Sequence, residues 1–374
     1  MTSRERVQMI LDHKKPDRVA VDLGSTASGF TNPTMVRVKE YFGIEGGDIV
    51  FRPDESAAIY NDMVLEKMGS DFRHVFLMPP ENVQGFKGTD TAVNEWGMQK
   101  TMRAGLSQNS SNPLADADSI EDLKAYPWPD PYAPGRDRGI RERIEDLYHN
   151  TDYALAARAV SHGFFELAWE LRGMENFLVD MMAEKDFANY LLDQILDIQM
   201  AMYDVLLKDA GAYVQMVETA DDYGTQNGPL MSPELFREMI LPRRRKLNDF
   251  IRSKAPKAKI FHHTCGSVYK LIPDLIEAGI DVLNPIQHSA AEMDTYRLQE
   301  EYGDRLIFHG AIDEQTALIY GQDVLRREME ERIRSLGRDG GYIMAPTSNF
   351  QDDMPLENIV HFAAMAKEIG DYTK

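Results

Sequence analysis

From about residue 150 onward the chain repeats one texture: a short apolar run, a polar loop, a stretch of helical period, then another apolar run. The apolar runs lie at 153–160, 213–217, 259–263, 281–283, 305–309 and 342–345. Stretches with helical spacing occupy 233–251, 268–278, 292–302 and 324–336. This alternation predicts parallel strands joined by helical crossovers. Two earlier runs, 18–23 after the breaker Pro16 and 74–78 before Pro79-Pro80, bring the strand candidates to eight. Eight is the number that closes a (β/α)8 TIM barrel. An open doubly wound sheet is the competing α/β arrangement, and no G-x-G-x-x-G turn supports it.

The rest of the chain reads as additions to one domain spanning 1–374. At the N-terminus Thr2 and Glu5 have capping-box spacing, and Val7, Ile10 and Leu11 form a helical stripe, so a helix is predicted ahead of the first strand. Residues 80–140 are rich in Gly, Asn, Ser and Pro. A hairpin is predicted over 91–102 around Asn94-Glu95-Trp96-Gly97, and the prolines of 126–131 exclude regular helix. This zone has too few apolar residues for a core of its own and is expected to run over the surface.

Composition narrows the function. Lys and Arg number 41 against 61 Asp and Glu, a formal charge of −20. Nucleic-acid binding demands clustered cations, so no nucleic-acid partner is expected, and a polyanionic substrate needs a local basic pocket. No apolar run approaches the ~18–20 residues of a membrane span. The first residues lack the basic-then-apolar form of a signal peptide, so a cytoplasmic protein, with a homodimer as the default assembly, is expected. The single cysteine, Cys265, excludes an internal disulfide.

In a barrel the reactive groups gather at the carboxyl ends of the strands. The residues following the strand candidates there are Ser161 and His162; Glu218, Asp221 and Asp222; His263 and Cys265; Asn284 and Gln287; His309 and Asp313; and Thr347, Ser348, Asn349 and Gln351. Side chains two apart on a strand share a face, so His263 and Cys265 can reach one Zn²⁺, with Glu218, Asp222 or His309 as third ligand. His262 is expected on the opposite face, among the helices. The carboxylates Glu218, Asp221 and Asp222 suit a general acid, a metal ligand or plain loop charge. Asp313 is placed to cap a helix over 315–320, which does not exclude a functional role. Arg158, at even spacing from Ala154 and Ala156, points inward if 153–160 is a strand, either anchoring a substrate carboxylate or forming an internal salt bridge.

Together these segments resemble the uroporphyrinogen decarboxylase superfamily, and within it the corrinoid-linked methyltransferases. The likeness rests on 2–7 through 16–21, Ala220-Asp221-Asp222-Tyr223-Gly224-Thr225-Gln226, Leu230-Met231-Ser232-Pro233 and His263-Thr264-Cys265-Gly266. It continues through Gly279-Ile280-Asp281-Val282-Leu283-Asn284-Pro285, Tyr302-Gly303-Asp304-Arg305-Leu306, Gly310-Ala311-Ile312-Asp313 and 340–346. It implies a (β/α)8 barrel with its funnel at the strand carboxyl ends. Uroporphyrinogen decarboxylases use no metal and carry an N-terminal R-Q-A-G-R motif; here residues 24–30 contain no arginine, which makes decarboxylation the alternative. The methylcobalamin:coenzyme M methyltransferases bind zinc through an H-x-C pair and a later cysteine. His263 and Cys265 match the pair, and Ser348 stands at the later position. The resemblance therefore implies a zinc enzyme that moves a methyl group between a small donor, such as a methoxylated aromatic, and a corrinoid on a partner protein. In that reading His263 and Cys265 hold the metal, and Asp222 and Asp313 serve the chemistry. His162, Asp221, Gln287, His309 and Asn349 bind the donor. A metal-free barrel that binds a tetrapyrrole or a partner is the non-enzymatic alternative.

Overall fold

The structure, a computed structural model, describes residues 1–83, 85–86 and 89–373. Eight parallel strands form a nearly closed barrel: β1 (Ala20–Val21), β2 (Phe72–Val75), β3 (Ala154–Ala157), β4 (Met216–Ala220), β5 (Lys259–His263), β6 (Val282–Asn284), β7 (Ile307–Ile312) and β8 (Tyr342–Pro346). From β2 to β8 each strand pairs with the next in sequence, β8 pairs with β1, and β1 and β2 form no ladder with each other. Where β1 meets β2, the Asp71 N–H donates to the Val21 carbonyl at 2.8 Å, and the Val21 N–H donates to the Asp71 carboxylate at 2.9 Å. The α/β barrel expected from the alternation is the observed fold.

Side-chain alternation sorts the interior into layers. The floor is apolar: Ala20, Phe72, Ala154, Ala156, Met216, Phe261, Val282, Ile307 and Ile343 pack together, joined by Val7, Ile10 and Leu11. Those last three belong to the N-terminal helix Ser3–Leu11, which has the predicted reciprocal Thr2–Glu5 cap. This helix seals the bottom of the barrel, each buried aliphatic side chain contributing about 1.5–3 kcal/mol. Arg6, also buried, pairs with Asp17 and Asp71 at 2.7 and 3.1 Å and ties the plug to β1 and β2.

Boundaries differ from expectation where polarity misleads. The run at 213–217 marks a strand that starts at Met216 and continues through Glu218 and Thr219, which read as loop because they are polar yet are buried. The run at 74–78 overshoots β2: Met78 leaves the sheet, its N–H donating to the Arg136 carbonyl. The helix expected over 233–251 contains a π-segment, Phe236–Ile240, ahead of Pro242, whose missing N–H disfavours uninterrupted α-register.

The hairpin over 91–102 forms as predicted, with a third strand at Leu106–Asn109. The 80–140 zone is more than a surface excursion: Trp96, Met98, Leu114, Leu123 and Ile140 are buried within the main core, and Trp96 packs edge-on against Trp128.

Candidate metal centre at the barrel mouth

Above the apolar floor lies a layer of fully buried polar groups: Asp22 after β1, His74 on β2, Glu218 on β4, Asn284 on β6 and His309 on β7. One level higher, half-buried at the mouth, are Asp222, His263 and Cys265, whose ligand atoms all lie within 4.8 Å of one another. A hydrogen-bonded chain links the two levels. The Asn284 carboxamide oxygen lies 2.7 Å from His263 Nδ1, and its Nδ2 lies 2.8 Å from His309 Nδ1. His309 Nε2 in turn reaches the Asp22 carboxylate at 3.2 Å.

This chain sets the tautomers. An amide nitrogen only donates, so His309 accepts at Nδ1 and carries its proton on Nε2, facing Asp22. The amide oxygen only accepts, so His263 Nδ1 donates and its Nε2 lone pair faces the mouth. There Nε2 lies 3.4 Å from Cys265 Sγ and 3.7 Å from Asp222 Oδ1. Ligands around a tetrahedral zinc are separated by about 3.3–3.7 Å, given the usual Zn–N and Zn–S lengths. Nitrogen, sulfur and carboxylate oxygen are a fitting donor set for zinc. Asp222 would supply the third ligand position. Glu218 and His309, the other candidates for it, are buried a layer below.

The loop geometry is fixed by neighbours. The Cys265 N–H donates to Asp222 Oδ1 at 2.8 Å, and the Gly266 N–H donates to the Gln287 side chain. Gly266 has φ +80°, and a Cβ on Gly224 would collide with the Cys265 carbonyl, so the two glycines let the segments after β4 and β5 close together. Without a cation, burial and the charges of Asp222, Glu166 and Glu314 push the Cys265 thiol well above its ordinary range. A bound cation reverses that balance and favours thiolate.

The other predicted residues fall elsewhere. Asp221 does not face substrate: it is fully buried, pairs with Arg244 at 3.0 Å, accepts from Tyr223 Oη, and accepts the N–H groups of Phe165 and Glu166 at the start of helix Phe164–Arg172. Burial raises its carboxyl to about 6 against the pull of Arg244. His309 is likewise a buried support for His263 rather than a donor contact. Gln287 spends its oxygen on the loop, and Asn349 accepts from the Gly29 N–H at 2.8 Å. Asp313 caps a turn, not a helix, accepting from the N–H groups of Gln315 and Thr316. His262 is on the opposite face as expected, buried beside Thr219 at 2.9 Å and kept neutral by burial.

His162 belongs to a separate cluster on the same rim. It lies 3.2 Å from Glu170, 3.6 Å from Glu166 and 3.9 Å from Glu55. Burial opposes its charge, yet Glu170 and Glu166 hold it protonated up to about 10. The ligand atoms of His162, Glu166 and Glu170 lie within 4.8 Å of one another. Two carboxyl groups were not anticipated from sequence. Glu166 sits one helical turn after His162, and burial, with Asp222 adding to the effect and His162 opposing, lifts it to about 8. Glu314 is bonded to Ser348, and burial raises its carboxyl as well.

The fold and site define a parallel α/β barrel carrying at its carboxyl mouth an oriented His, a Cys and an Asp that could hold a metal ion. Sequence comparison places it more narrowly. The profile of the Uroporphyrinogen decarboxylase (URO-D) family matches residues 77–369, and the chain belongs to that family. No curated protein sequence matches it. Among solved structures it is similar to a methyltransferase from Methanosarcina mazei, at 18% identity and a TM-score of 0.66, covering 98% of this chain and 99% of the other. A B12-independent methionine synthase from Shewanella sp. W3-18-1 aligns over 63% of this chain and 66% of its own, at 15% identity and a TM-score of 0.36. Among the described residues no helix is long and apolar enough to cross a membrane.

Proposed function

We propose that this protein is a zinc-dependent methyltransferase that moves a methyl group between a small methylated donor, such as a methoxylated aromatic, and the cobalt of a corrinoid on a partner protein. The observation that carries the reading is the His263–Cys265–Asp222 donor set, with His263 turned toward the mouth by Asn284. Membership of the URO-D family and the likeness to a methyltransferase fold support it.

Bound zinc would supply Lewis acidity to the heteroatom that leaves. The chain's own residues do the rest. Asn284, His309 and Asp22 hold the imidazole in one orientation. Glu166, whose carboxyl pKa is raised by burial, would give a proton to the leaving oxygen, so that the C–O bond would break, the methyl group would pass to the cobalt of the partner's corrinoid and the oxygen would leave protonated. One thiolate rather than two leaves more positive charge on the metal, which suits activation of an ether more than carriage of a substrate thiol.

Metal analysis of the protein and of Cys265→Ala tests the centre: about one zinc per chain, lost in the variant, is expected. Incubation of a methyl-donor panel with reduced corrinoid protein tests the reaction through methyl-cobalt absorbance. The family description favours porphyrinogen decarboxylation as the second reading. That reading wins if porphyrinogen loses carboxyl groups while no donor methylates cobalt. Absence of zinc together with absence of both reactions leaves a binding barrel.

A further inference from the structure

The buried polar layer contains a second group of converging ligand atoms. Asp22, His74 and Glu218 are each 0% exposed, and one ligand atom from each lies within 4.8 Å of the other two. His74 Nε2 is 3.2 Å from Glu218 Oε1 and 3.6 Å from Asp22 Oδ1. Among the described residues neither His74 Nε2 nor Glu218 Oε1 has a hydrogen-bond partner, although both are buried. Two polar atoms this close without a hydrogen bond are aimed beside the line that joins them. Buried polar atoms left unsatisfied in this way are costly and rare in folded proteins.

The far side of each group is already held. Glu218 Oε2 accepts from the Thr26 N–H at 2.8 Å and from the Thr26 hydroxyl at 2.5 Å. Asp22 Oδ2 faces His309 Nε2 at 3.2 Å. His74 Nδ1 lies 3.3 Å from Tyr60 Oη, which also accepts the His74 backbone N–H at 2.9 Å. A proton on Nδ1, shared with Tyr60, leaves the Nε2 lone pair facing the two carboxylates. Outer atoms fixed by neighbours and inner atoms unspent are the pattern of metal ligands with their supports. Bonds of about 2.0–2.2 Å to a common ion set ligand atoms about 3–3.6 Å apart, which matches both separations. The charge agrees as well. Two carboxylates face one imidazole, and Arg158, which follows β3, acts on both of them without forming an ion pair with either.

We infer that Asp22, His74 and Glu218 form a second metal site, deep in the barrel, for a hard divalent cation of the Mn²⁺ type. A carboxylate-rich set without sulfur suits such an ion, whereas the Cys265 thiolate keeps the mouth for zinc. The site does not depend on the methyl transfer proposed above. Its ligands come from the end of β1, from β2 and from β4, and β1 and β2 are the neighbours that form no ladder. A cation held there fastens the barrel across its unladdered seam, so its role is structural.

The test uses the full-length chain carrying His263→Ala and Cys265→Ala, which disarm the mouth. It is stripped of metal and given Mn²⁺ alone, once as folded protein and once during refolding from denaturant. After gel filtration, electron paramagnetic resonance is expected to count about one Mn²⁺ per chain, coupled to one imidazole nitrogen. The melting temperature is expected to rise with Mn²⁺, because the ion binds only the folded state. Adding Glu218→Gln is expected to abolish both effects. Thr26→Val keeps all three ligands, is expected to weaken Mn²⁺ binding by about ten-fold, and decides the matter if Glu218→Gln does not fold. No retained Mn²⁺ by either route would overturn the site and leave a proton on His74 between the carboxylates. Retention that survives Glu218→Gln, or that Glu170→Gln removes instead, would also overturn it, the latter assigning the ion to the cluster around His162.

Discussion

His263 and Asn284 stand opposite each other in the register of β5 and β6, and their side chains meet at 2.7 Å. The pairing fixes which imidazole nitrogen is available at the mouth. Groups that orient a metal-ligating histidine typically matter 10–100-fold for metal affinity. Asn284→Ala should therefore weaken zinc binding by about 10–100-fold, measured by chelator competition, with the circular-dichroism spectrum unchanged. Unaltered zinc affinity would show that the pairing has no part in the site.

Cys265 is the sole thiol, so its reactivity can be read without labelling others. Burial and the charges of Asp222, Glu166 and Glu314 hold it protonated in the metal-free protein. Alkylation by iodoacetamide should be slow at pH 8, faster in Asp222→Asn, and blocked by one equivalent of zinc. Fast alkylation that zinc does not slow would remove Cys265 from the centre.

Asp221 and Arg244 are a fully buried ion pair below the rim. Arg244→Leu leaves the carboxylate without its cation, and breaking such a pair costs about 3–5 kcal/mol. Denaturant unfolding should show a loss of that order while zinc stoichiometry stays the same. A stability change under about 1 kcal/mol would mean that the carboxylate is not dependent on its partner.

His162 gives the fold an alkaline limit. Its folded pKa, raised to about 10 by Glu170 and Glu166 against the cost of burial, lies above the unfolded value of about 6.5. A raised pKa stabilises the folded state fully below the unfolded value, and that contribution fades as pH climbs through the folded one. The difference in melting temperature between wild type and His162→Gln should be largest below about pH 6.5 and vanish above about pH 10. A difference that grows with pH would reverse the assignment.

The barrel is legible in the sequence because its floor is apolar and its crossovers are amphipathic, so the two periods alternate cleanly. The polar layer is not. Glu218 reads as loop because hydrophobicity is the signal for a strand, and a buried carboxylate inside a barrel has the opposite sign. Asp221 and Asp222 are neighbours in sequence with opposite fates: one is spent on Arg244 and the other meets Cys265. Only the path of the chain leaving β4 decides between them. That His263 and Cys265 share one face was legible through alternation alone. Glu166 carries a faint signal, four residues after His162 and within the first turn of the following helix. Glu314 carries none, since it acts through Ser348 and a loop whose course the sequence does not reveal.

The helix Ser3–Leu11 closes the barrel opposite the mouth, and this governs traffic as well as stability. With one end plugged, a small donor and the bulky cobalt carrier proposed above would share a single doorway. The donor would be seated before the carrier covers the opening, and the product would leave only after the carrier departs. Such a vessel would turn over in a fixed order, with release paced by the undocking of its larger guest.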